Sequence, residues 1–194
     1  MNIIQTPSPN YYKGRLGWKP DVIVWHISTD TLKSMDSWFR TPNSQASSHY
    51  GISEDGSVVH QYVDEMNGAW TNGRVNSPTA KFVLKRPNVN PNYYCLTIEN
   101  AGKDLAKASE GQRKTLYELT LQIAKKWNIP IDRDHILGHW EIDAKNRYYC
   151  PSGDHSLMDK AVLTLQGMSQ PDELVSVLVH KSKVQKVMDF LRTI

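Results

Sequence analysis

The sequence predicts an α/β fold in one main domain, followed by a small C-terminal appendage. Short apolar segments with strand character alternate along the chain with segments of helical periodicity. The 194 residues, 39% of them hydrophobic, suffice for one sizeable core. Composition changes near Gly167, so we expect a main domain at residues 1–167 and a linker with an appendage at residues 168–194.

Five segments have the composition of β-strands, and two of them form a predicted hairpin. The strand-like segments are residues 22–27, 49–53, 57–63, 95–100 and 135–137. Between the second and third of these, Asp55-Gly56 favours a tight turn. Within residues 95–100, the alternation of a strand places Cys95, Thr97 and Glu99 on one face. Glu99 therefore stands near the end of a predicted strand.

Three helices are predicted around these strands. They cover residues 32–40, 109–127 and 156–165. The second has the clearest signals, because Ser109 and Gln112 form a capping-box pattern and Asn128 with Pro130 supplies the stop. The opening segment, up to Pro20, is interpreted as an extended arm. Residues 71–94, rich in Asn, Pro and Gly, are interpreted as a long surface loop, which is uncommon unless functional.

Charge and hydropathy exclude several classes of function. The chain has 23 Lys and Arg against 20 Asp and Glu, a net charge of +3 without a basic run, which gives no support for nucleic-acid binding. No apolar run reaches the roughly 18 to 20 residues that span a bilayer. The N-terminus lacks the basic start and apolar stretch of a secretory signal. We therefore expect a protein made in the cytosol without a signal peptide and without membrane insertion.

Two histidines and a cysteine are candidate metal ligands. His26 ends an apolar strand, His139 follows a short strand, and Cys150 lies in a loop eleven residues further on. Folding can bring all three to one edge of a sheet, and neutral imidazole with thiolate is a preferred donor set for zinc. Structural zinc usually has four protein ligands, whereas catalytic zinc keeps one position for water, so three ligands favour a catalytic site.

Five motifs occur in an order and at separations that resemble those of a known enzyme family. They read VIVWHIS, SHYGISEDGSVVHQYVDE, NGAW, CLTIEN and GHWEIDAKNRYYCPSG, and the resemblance covers roughly residues 20–166. Together they resemble the type-2 N-acetylmuramoyl-L-alanine amidases, which include phage endolysins and peptidoglycan recognition proteins. The resemblance implies a central mixed β-sheet flanked by helices. It also implies hydrolysis of the amide that joins the lactyl group of N-acetylmuramic acid to the L-alanine of the peptidoglycan stem peptide.

The resemblance also implies roles for individual residues. His26, His139 and Cys150 match the positions that bind one zinc ion. Glu99 matches the acidic residue that orients the attacking water. Zinc lowers the pKa of water from about 15.7 toward about 7, and a nearby carboxylate can accept the proton and pass it to the leaving amine. The alternative for Glu99 is a solvated carboxylate at the end of a strand.

One position departs from the family pattern. Many relatives have a lysine two residues before the third metal ligand, where it can stabilise the oxyanion on the scissile carbonyl. In this chain that residue is Tyr148. We expect the catalytic donor to be either Tyr148, through its hydroxyl, or Arg147, through its guanidinium.

His49 and Trp70 are the candidate substrate-binding residues. His49 matches a position near the sheet end that is often a histidine or an aromatic residue, with a buried, hydrogen-bonded histidine as the alternative. Trp70 matches a tryptophan that precedes a polar motif in relatives, with core packing as the alternative. The following Thr71-Asn72-Gly73 departs from the usual His-Ala-Gly.

These patterns favour a zinc-dependent peptidoglycan amidase, a phage or prophage endolysin that acts on the bacterial cell wall after holin-type release. A cytosolic amidase that recycles wall fragments, a non-catalytic module that binds muropeptides, and an unrelated fold with structural zinc are the alternatives. Residues 168–194 are short for an independent wall-binding domain, since chains below about 40 residues seldom fold alone. A docked helix, an element that forms a homodimer, and the start of a further domain remain open for them.

Overall fold

The computed structural model describes residues 2–169, and most of the strands in that range form one six-stranded sheet. The strands are β1 (Ile3–Gln5), β2 (Tyr11–Tyr12), β3 (Val22–Ile27), β4 (Tyr50–Ile52), β5 (Val59–Gln61), β6 (Gly68–Ala69), β7 (Cys95–Asn100) and β8 (Ile136–Gly138). The helices are α1 (Leu32–Arg40), α2 (Lys81–Leu84), α3 (Glu110–Trp127) and α4 (Ser156–Ser169). The order in the large sheet is β1-β5-β4-β7-β3-β8, and β2 pairs with β6 in a separate ribbon. Neighbouring strands of the large sheet are parallel except for β4 and β5, so the predicted mixed sheet flanked by helices is confirmed.

Strands β7, β3 and β8 are parallel neighbours, with β8 at the edge of the sheet, and they separate two layers of the core. All six residues of β3 are buried, which explains why its sequence is an apolar run rather than an alternating one. Ile23 and Trp25 pack with α3 and α4 on one face of the sheet. Val22 and Val24 pack on the opposite face with Val83 of α2. His26 follows the second pattern, so it lies on the face of the sheet opposite α3 and α4.

The elements with the strongest sequence signals lie where they were predicted. Strands β3 and β7 and helix α1 match the predicted bounds residue for residue. The cap of α3 is also as predicted, because the Ser109 hydroxyl accepts from the Gln112 amide and Asn128 adopts a left-handed conformation. The hairpin strands β4 and β5 are shorter than predicted, and β8 begins one residue later. Helix α4 continues past Gly167 to Ser169, and residues 170–194, nearly all of the predicted linker and appendage, lie outside the described residues.

The hairpin turn at Asp55-Gly56 packs directly on the beginning of α3. Gly56 has φ +76°, and a Cβ there would lie 2.3 Å from the carbonyl oxygen of Gly111. The Ser109 hydroxyl also donates to the Glu54 carbonyl at 2.8 Å. Glycine is therefore required in this turn both by its backbone conformation and by the close approach of the helix.

The N-terminal arm takes part in both sheets. Its first strand, β1, pairs with β5 at the edge of the large sheet, and β2 forms the ribbon with β6. Arg15 is buried and donates from Nε to the Glu65 carbonyl at 2.7 Å and from Nη1 to the carbonyls of Tyr93 and Cys95 at 3.0 and 3.1 Å. The arm is thus fixed to the molecule by backbone pairing and by one buried guanidinium.

His49 lies beside this guanidinium and is itself fully buried. Its Nδ1 accepts from the Thr97 amide at 3.1 Å, and its Nε2 lies 3.1 Å from the Asn67 carbonyl and 2.9 Å from Nη2 of Arg15. Burial and, second, the charge of Arg15 lower the pKa of His49 to about 3. These contacts are those of the buried, hydrogen-bonded histidine that was the alternative to substrate contact.

Among residues 2–169, no helix is both long and apolar enough to cross a lipid bilayer.

The burial of His49 predicts a pH dependence of stability. Between its unfolded pKa of about 6.5 and its folded pKa of about 3, the unfolded chain binds a proton that the folded chain does not. This one group therefore reduces the free energy of unfolding by up to about 1.4 kcal/mol for each pH unit below 6.5. In the variant His49→Asn, the amide oxygen can replace Nδ1 as acceptor but does not titrate. The free energy of unfolding is measured with urea at several pH values from 7 to 4.5. It should decrease less steeply with falling pH in the variant, by the equivalent of about one bound proton. Equal pH dependences in the two proteins would contradict a buried neutral His49.

Candidate active site

The two histidines and the cysteine meet at the carboxyl ends of β3 and β8. His26 is near the end of β3, and His139 directly follows β8, which is the parallel neighbour of β3. Nδ1 of His26 lies 2.9 Å from Nδ1 of His139 and 3.9 Å from Sγ of Cys150. One potential ligand atom from each of the three residues lies within 4.8 Å of the others. The structure therefore brings together the three residues that the sequence selected.

Backbone hydrogen bonds hold Cys150 in this position. Its carbonyl accepts from the Trp140 amide at 3.0 Å, and its amide donates to the Arg147 carbonyl at 2.9 Å. Its sulfur accepts from the Ile27 amide at 3.4 Å. Burial raises the pKa of the thiol to about 12, while the Ile27 amide acts in the opposite direction. A cation beside the sulfur would favour the thiolate, since coordinated thiols are deprotonated.

The donor set fits a single tetrahedral metal ion. Burial lowers the pKa of His139 to about 4 and that of His26 well below its usual range, so both imidazoles are neutral at pH 7 and can bind metal. Nε2 of His139 lies 3.2 Å from the Asn72 carbonyl, an arrangement that keeps the proton on Nε2 and the lone pair on Nδ1. Zinc bond lengths place tetrahedral N and S donors about 3.3 to 3.7 Å apart. The observed separations of 2.9 and 3.9 Å lie on either side of that range.

Glu99 lies beside these donors on the neighbouring strand. The register of β3 and β7 pairs His26 with Glu99, and Oε1 of Glu99 lies 3.9 Å from Nδ1 of His26. Its Oε2 is buried and has no hydrogen-bond partner within the described part of the chain. Burial raises the pKa of Glu99 to about 8, and the charge of Arg147 partly opposes this. A carboxyl group with a high pKa and a free oxygen can accept and release a proton near neutral pH.

A cleft of about 670 Å³ opens over the metal-ligand candidates and Glu99. Helix α1 contributes Trp38 to its lining, and the segment after β8 contributes Arg147 and Tyr149. Trp70 also lines the cleft, and its ring packs 5.5 Å from that of Tyr12. Trp70 therefore combines packing with exposure to the cleft. Within the range that the structure describes, His49 is not part of the lining.

The structure separates the two candidate oxyanion donors. Arg147 lines the cleft, and its charge acts on the pKa of Glu99 and of His139. The ring of Tyr148 instead packs against His155 at 4.5 Å and against Tyr149 at 5.1 Å. In the described range, Tyr148 does not belong to the cleft lining. Of the two candidates, Arg147 is therefore the one that lines the cleft.

Two further residues of the site were not selected from the sequence. Tyr149 is 73% exposed and lines the cleft next to Cys150. Asn72 is only 1% exposed and contacts His139 through its backbone carbonyl. The available signal for Asn72 was the departure of Thr71-Asn72-Gly73 from the usual motif, which marks the segment but not the role of one residue.

Comparisons with known proteins identify the family and the fold. A model of the family described as N-acetylmuramoyl-L-alanine amidase matches residues 17–153. A search of curated proteins gives no match. Among solved structures, a selenomethionine derivative of AmpD has a TM-score of 0.65 at 21% identity, covering 84% of this chain and 93% of its own.

Two other solved structures have similar scores. A mutant endolysin from Bacillus subtilis has a TM-score of 0.61 at 19% identity, covering 85% of this chain and 99% of its own. The N-acetylmuramoyl-L-alanine amidase LysC from Clostridium intestinale has a TM-score of 0.56 at 15% identity, covering 86% and 98%. At such identities these structures show the shared fold. The family model, in contrast, spans well over half of the sequence. The chain therefore belongs to the N-acetylmuramoyl-L-alanine amidase family, as the five sequence motifs predicted.

Proposed function

We propose that this protein is a zinc-dependent hydrolase that cleaves the amide bond between N-acetylmuramic acid and L-alanine in peptidoglycan, as the endolysin of a phage or prophage. The observation that carries the proposal is the donor set of His26, His139 and Cys150 within 4.8 Å, with the unpartnered carboxylate of Glu99 beside it in an open cleft. An endolysin among the structures of the same fold supports the phage assignment. The same arrangement favours an enzyme over a module that only binds muropeptides, because binding alone does not need a proton acceptor at the metal-ligand candidates.

Three groups of this chain have roles in the proposed hydrolysis. Zinc, when bound by His26, His139 and Cys150, supplies Lewis-acid activation of water and of the scissile carbonyl. Glu99 accepts the proton of the attacking water and delivers it to the amide nitrogen as the C–N bond breaks. Arg147 forms an ion pair with the oxyanion that develops on the carbonyl oxygen. The products are the lactyl carboxylate of muramic acid and a stem peptide with a free amino terminus on alanine.

The size of the cleft suits a segment of substrate rather than an entire glycan strand. Its volume of about 670 Å³ lies within the range of small-molecule sites, roughly 300 to 1,000 Å³. Trp70 offers a flat apolar surface on which the stem peptide can pack. We place Trp70 in the peptide-binding part of the cleft, whereas His49 supports the sheet from within.

We place the catalytic function in residues 1–167. The family match ends at residue 153, yet Met158 and Leu165 of α4 belong to the same core as β3 and α3. Helix α4 is therefore part of the catalytic domain. Homodimer formation through the C-terminal tail stays a prediction, since residues 170–194 lie outside the described range.

The bond that is cleaved and the need for metal can be tested together. Incubation with a defined muropeptide should release a stem peptide that begins with free alanine, as identified by mass spectrometry. Exhaustive treatment with a chelator should abolish the release, and stoichiometric zinc should restore it. Activity that survives complete removal of metal would disprove the metal mechanism. Binding of the muropeptide without release would favour a recognition module, and cleavage of soluble fragments without loss of turbidity of intact walls would favour recycling over lysis.

The roles of Glu99 and Cys150 predict two different kinds of inactive variant. Glu99→Gln should lower kcat by about 10² to 10⁴ while one zinc ion per chain is retained, because only the proton acceptor is removed. Cys150→Ala should lose both turnover and tight zinc binding, because a ligand is removed. Turnover and metal content are measured on the same preparations. If Glu99→Gln retains turnover within tenfold of the unmodified protein, Glu99 has no catalytic role.

The position of Arg147 in the cleft predicts which side chain stabilises the oxyanion. Arg147→Ala should lower kcat by about 10² to 10³ with little change in zinc content, as expected for loss of one oxyanion donor. Tyr148→Phe is the matched control, because it removes only the hydroxyl of a ring that packs against His155. Its kcat should stay within about twofold of that of the unmodified protein. The reverse pattern in steady-state kinetics would assign the role to Tyr148.

A further inference from the structure

Asn72 is fixed directly behind the two metal-ligand histidines. It lies in the loop that follows β6 and is 1% exposed. Its backbone amide donates to Oδ1 of Asn92 at 3.0 Å, and its carbonyl lies 3.2 Å from Nε2 of His139. The backbone of Asn72 is thus fixed by Asn92 through its amide and contacts His139 through its carbonyl.

The side chain of Asn72 has no hydrogen bond of normal geometry within residues 2–169. Both amide atoms are buried and unpartnered, and the same is true of Nε2 of His26. The ring of His26 lies 4.3 Å from the ring of His139, and Nε2 of His139 contacts the Asn72 carbonyl. The unpartnered atoms of Asn72 and of His26 are therefore close to the same buried imidazole ring. A buried polar group without a partner is destabilising, so a small rotation that pairs the two groups is favourable.

We propose that Asn72 is the positioning residue for both histidines, its carbonyl orienting His139 and its side-chain amide orienting His26. This inference rests on the proposed zinc function. Turning Oδ1 of Asn72 toward Nε2 of His26 gives both of these buried, unpartnered atoms a hydrogen-bond partner.

This arrangement decides which imidazole nitrogens are free to bind metal. At 2.9 Å, the two Nδ1 atoms can share a hydrogen bond, but then one of them carries a proton and cannot be a ligand. A hydrogen-bond acceptor at Nε2 of each ring favours the tautomer with the proton on Nε2. The Asn72 carbonyl is that acceptor for His139, and the Asn72 side chain is that acceptor for His26. Outer partners of this kind typically change metal affinity 10- to 100-fold.

The test compares zinc affinity across substitutions of Asn72, measured by competition with a chromophoric chelator. Asn72→Leu keeps a similar volume but removes the acceptor, and its zinc affinity should fall 10- to 100-fold. Asn72→Asp keeps an acceptor at the same position, and its zinc affinity should stay close to that of the unmodified protein. Gln112→Ala is the matched control: it removes another buried amide side chain, whose nitrogen donates to the Ala101 carbonyl on the other side of the sheet, and should lower Tm without changing zinc affinity.

A second measurement uses the unmodified protein and does not depend on how the variants fold. Long-range proton–nitrogen NMR correlations of the zinc-loaded protein should show Nε2 protonated and Nδ1 without a proton in both His26 and His139. A proton on Nδ1 of His26 would overturn the inference, as would a zinc affinity of Asn72→Leu equal to that of the unmodified protein. In either case zinc binding itself would persist and the proposed function would stand. If the unmodified protein binds no zinc, the proposed function fails and this inference fails with it.

Discussion

The parallel pairing of β7, β3 and β8 is the constraint on which the candidate site depends. Parallel strands end at the same edge of a sheet, so residues far apart in sequence arrive together without any local signal. The register that pairs His26 with Glu99 places the carboxylate and the first imidazole side by side. The pairing of Trp25 with Gly138 places His139 one residue further along the same edge. A shift of one residue in either pairing would turn a side chain of the site to the opposite face, toward α3 and α4.

The groups of the site are largely buried as well as close together, and burial changes the protonation of each of them. Burial is the largest cause of the lowered pKa values of the two histidines and of the raised pKa values of Glu99 and Cys150, so every group is driven toward its neutral form. Neutral imidazoles are ready to bind metal. The thiol and the carboxyl group, in contrast, need a nearby cation to ionise. A metal ion bound by the three donors would favour the ionised form of both groups. Metal binding would therefore also make Glu99 available as a proton acceptor.

Sequence reasoning succeeded where the signal was local. The apolar run of β3, the Ser109 cap of α3 and the Asp55-Gly56 turn each contain their own physical cause, and each lies where it was predicted. Strands β1, β2 and β6 have two or three residues each, and they are strands only because a partner lies beside them. No local pattern marks such elements, so the arm was expected to be merely extended.

The roles that the sequence did not predict within the site depend, in a similar way, on distant parts of the chain. The ligand residues were found because their residue types carry the chemistry, whereas the choice between Arg147 and Tyr148 depends on the path of a loop. His49 was selected from its position in a motif, and its contacts with Thr97 and Arg15 depend on how a distant strand and the arm fold around it. The contact of Asn72 with His139 uses a backbone carbonyl, which every residue has, so side-chain chemistry could not reveal it.

The arm and the metal-ligand candidates are connected by a short chain of buried contacts. Arg15 donates to the Asn92 carbonyl at 3.4 Å, Asn92 accepts from the Asn72 amide through its side chain at 3.0 Å, and the Asn72 carbonyl faces Nε2 of His139 at 3.2 Å. The first hydrogen bond is long, but Arg15 also donates to the carbonyls of Tyr93 and Cys95, on either side of Tyr94 at the beginning of β7. Because buried groups of this kind have no water to replace a lost partner, displacement of the arm would loosen the segment around Asn92 and with it the support of His139. The N-terminal arm, which has the weakest sequence signals in the described part of the chain, thus supports the geometry of the site from behind.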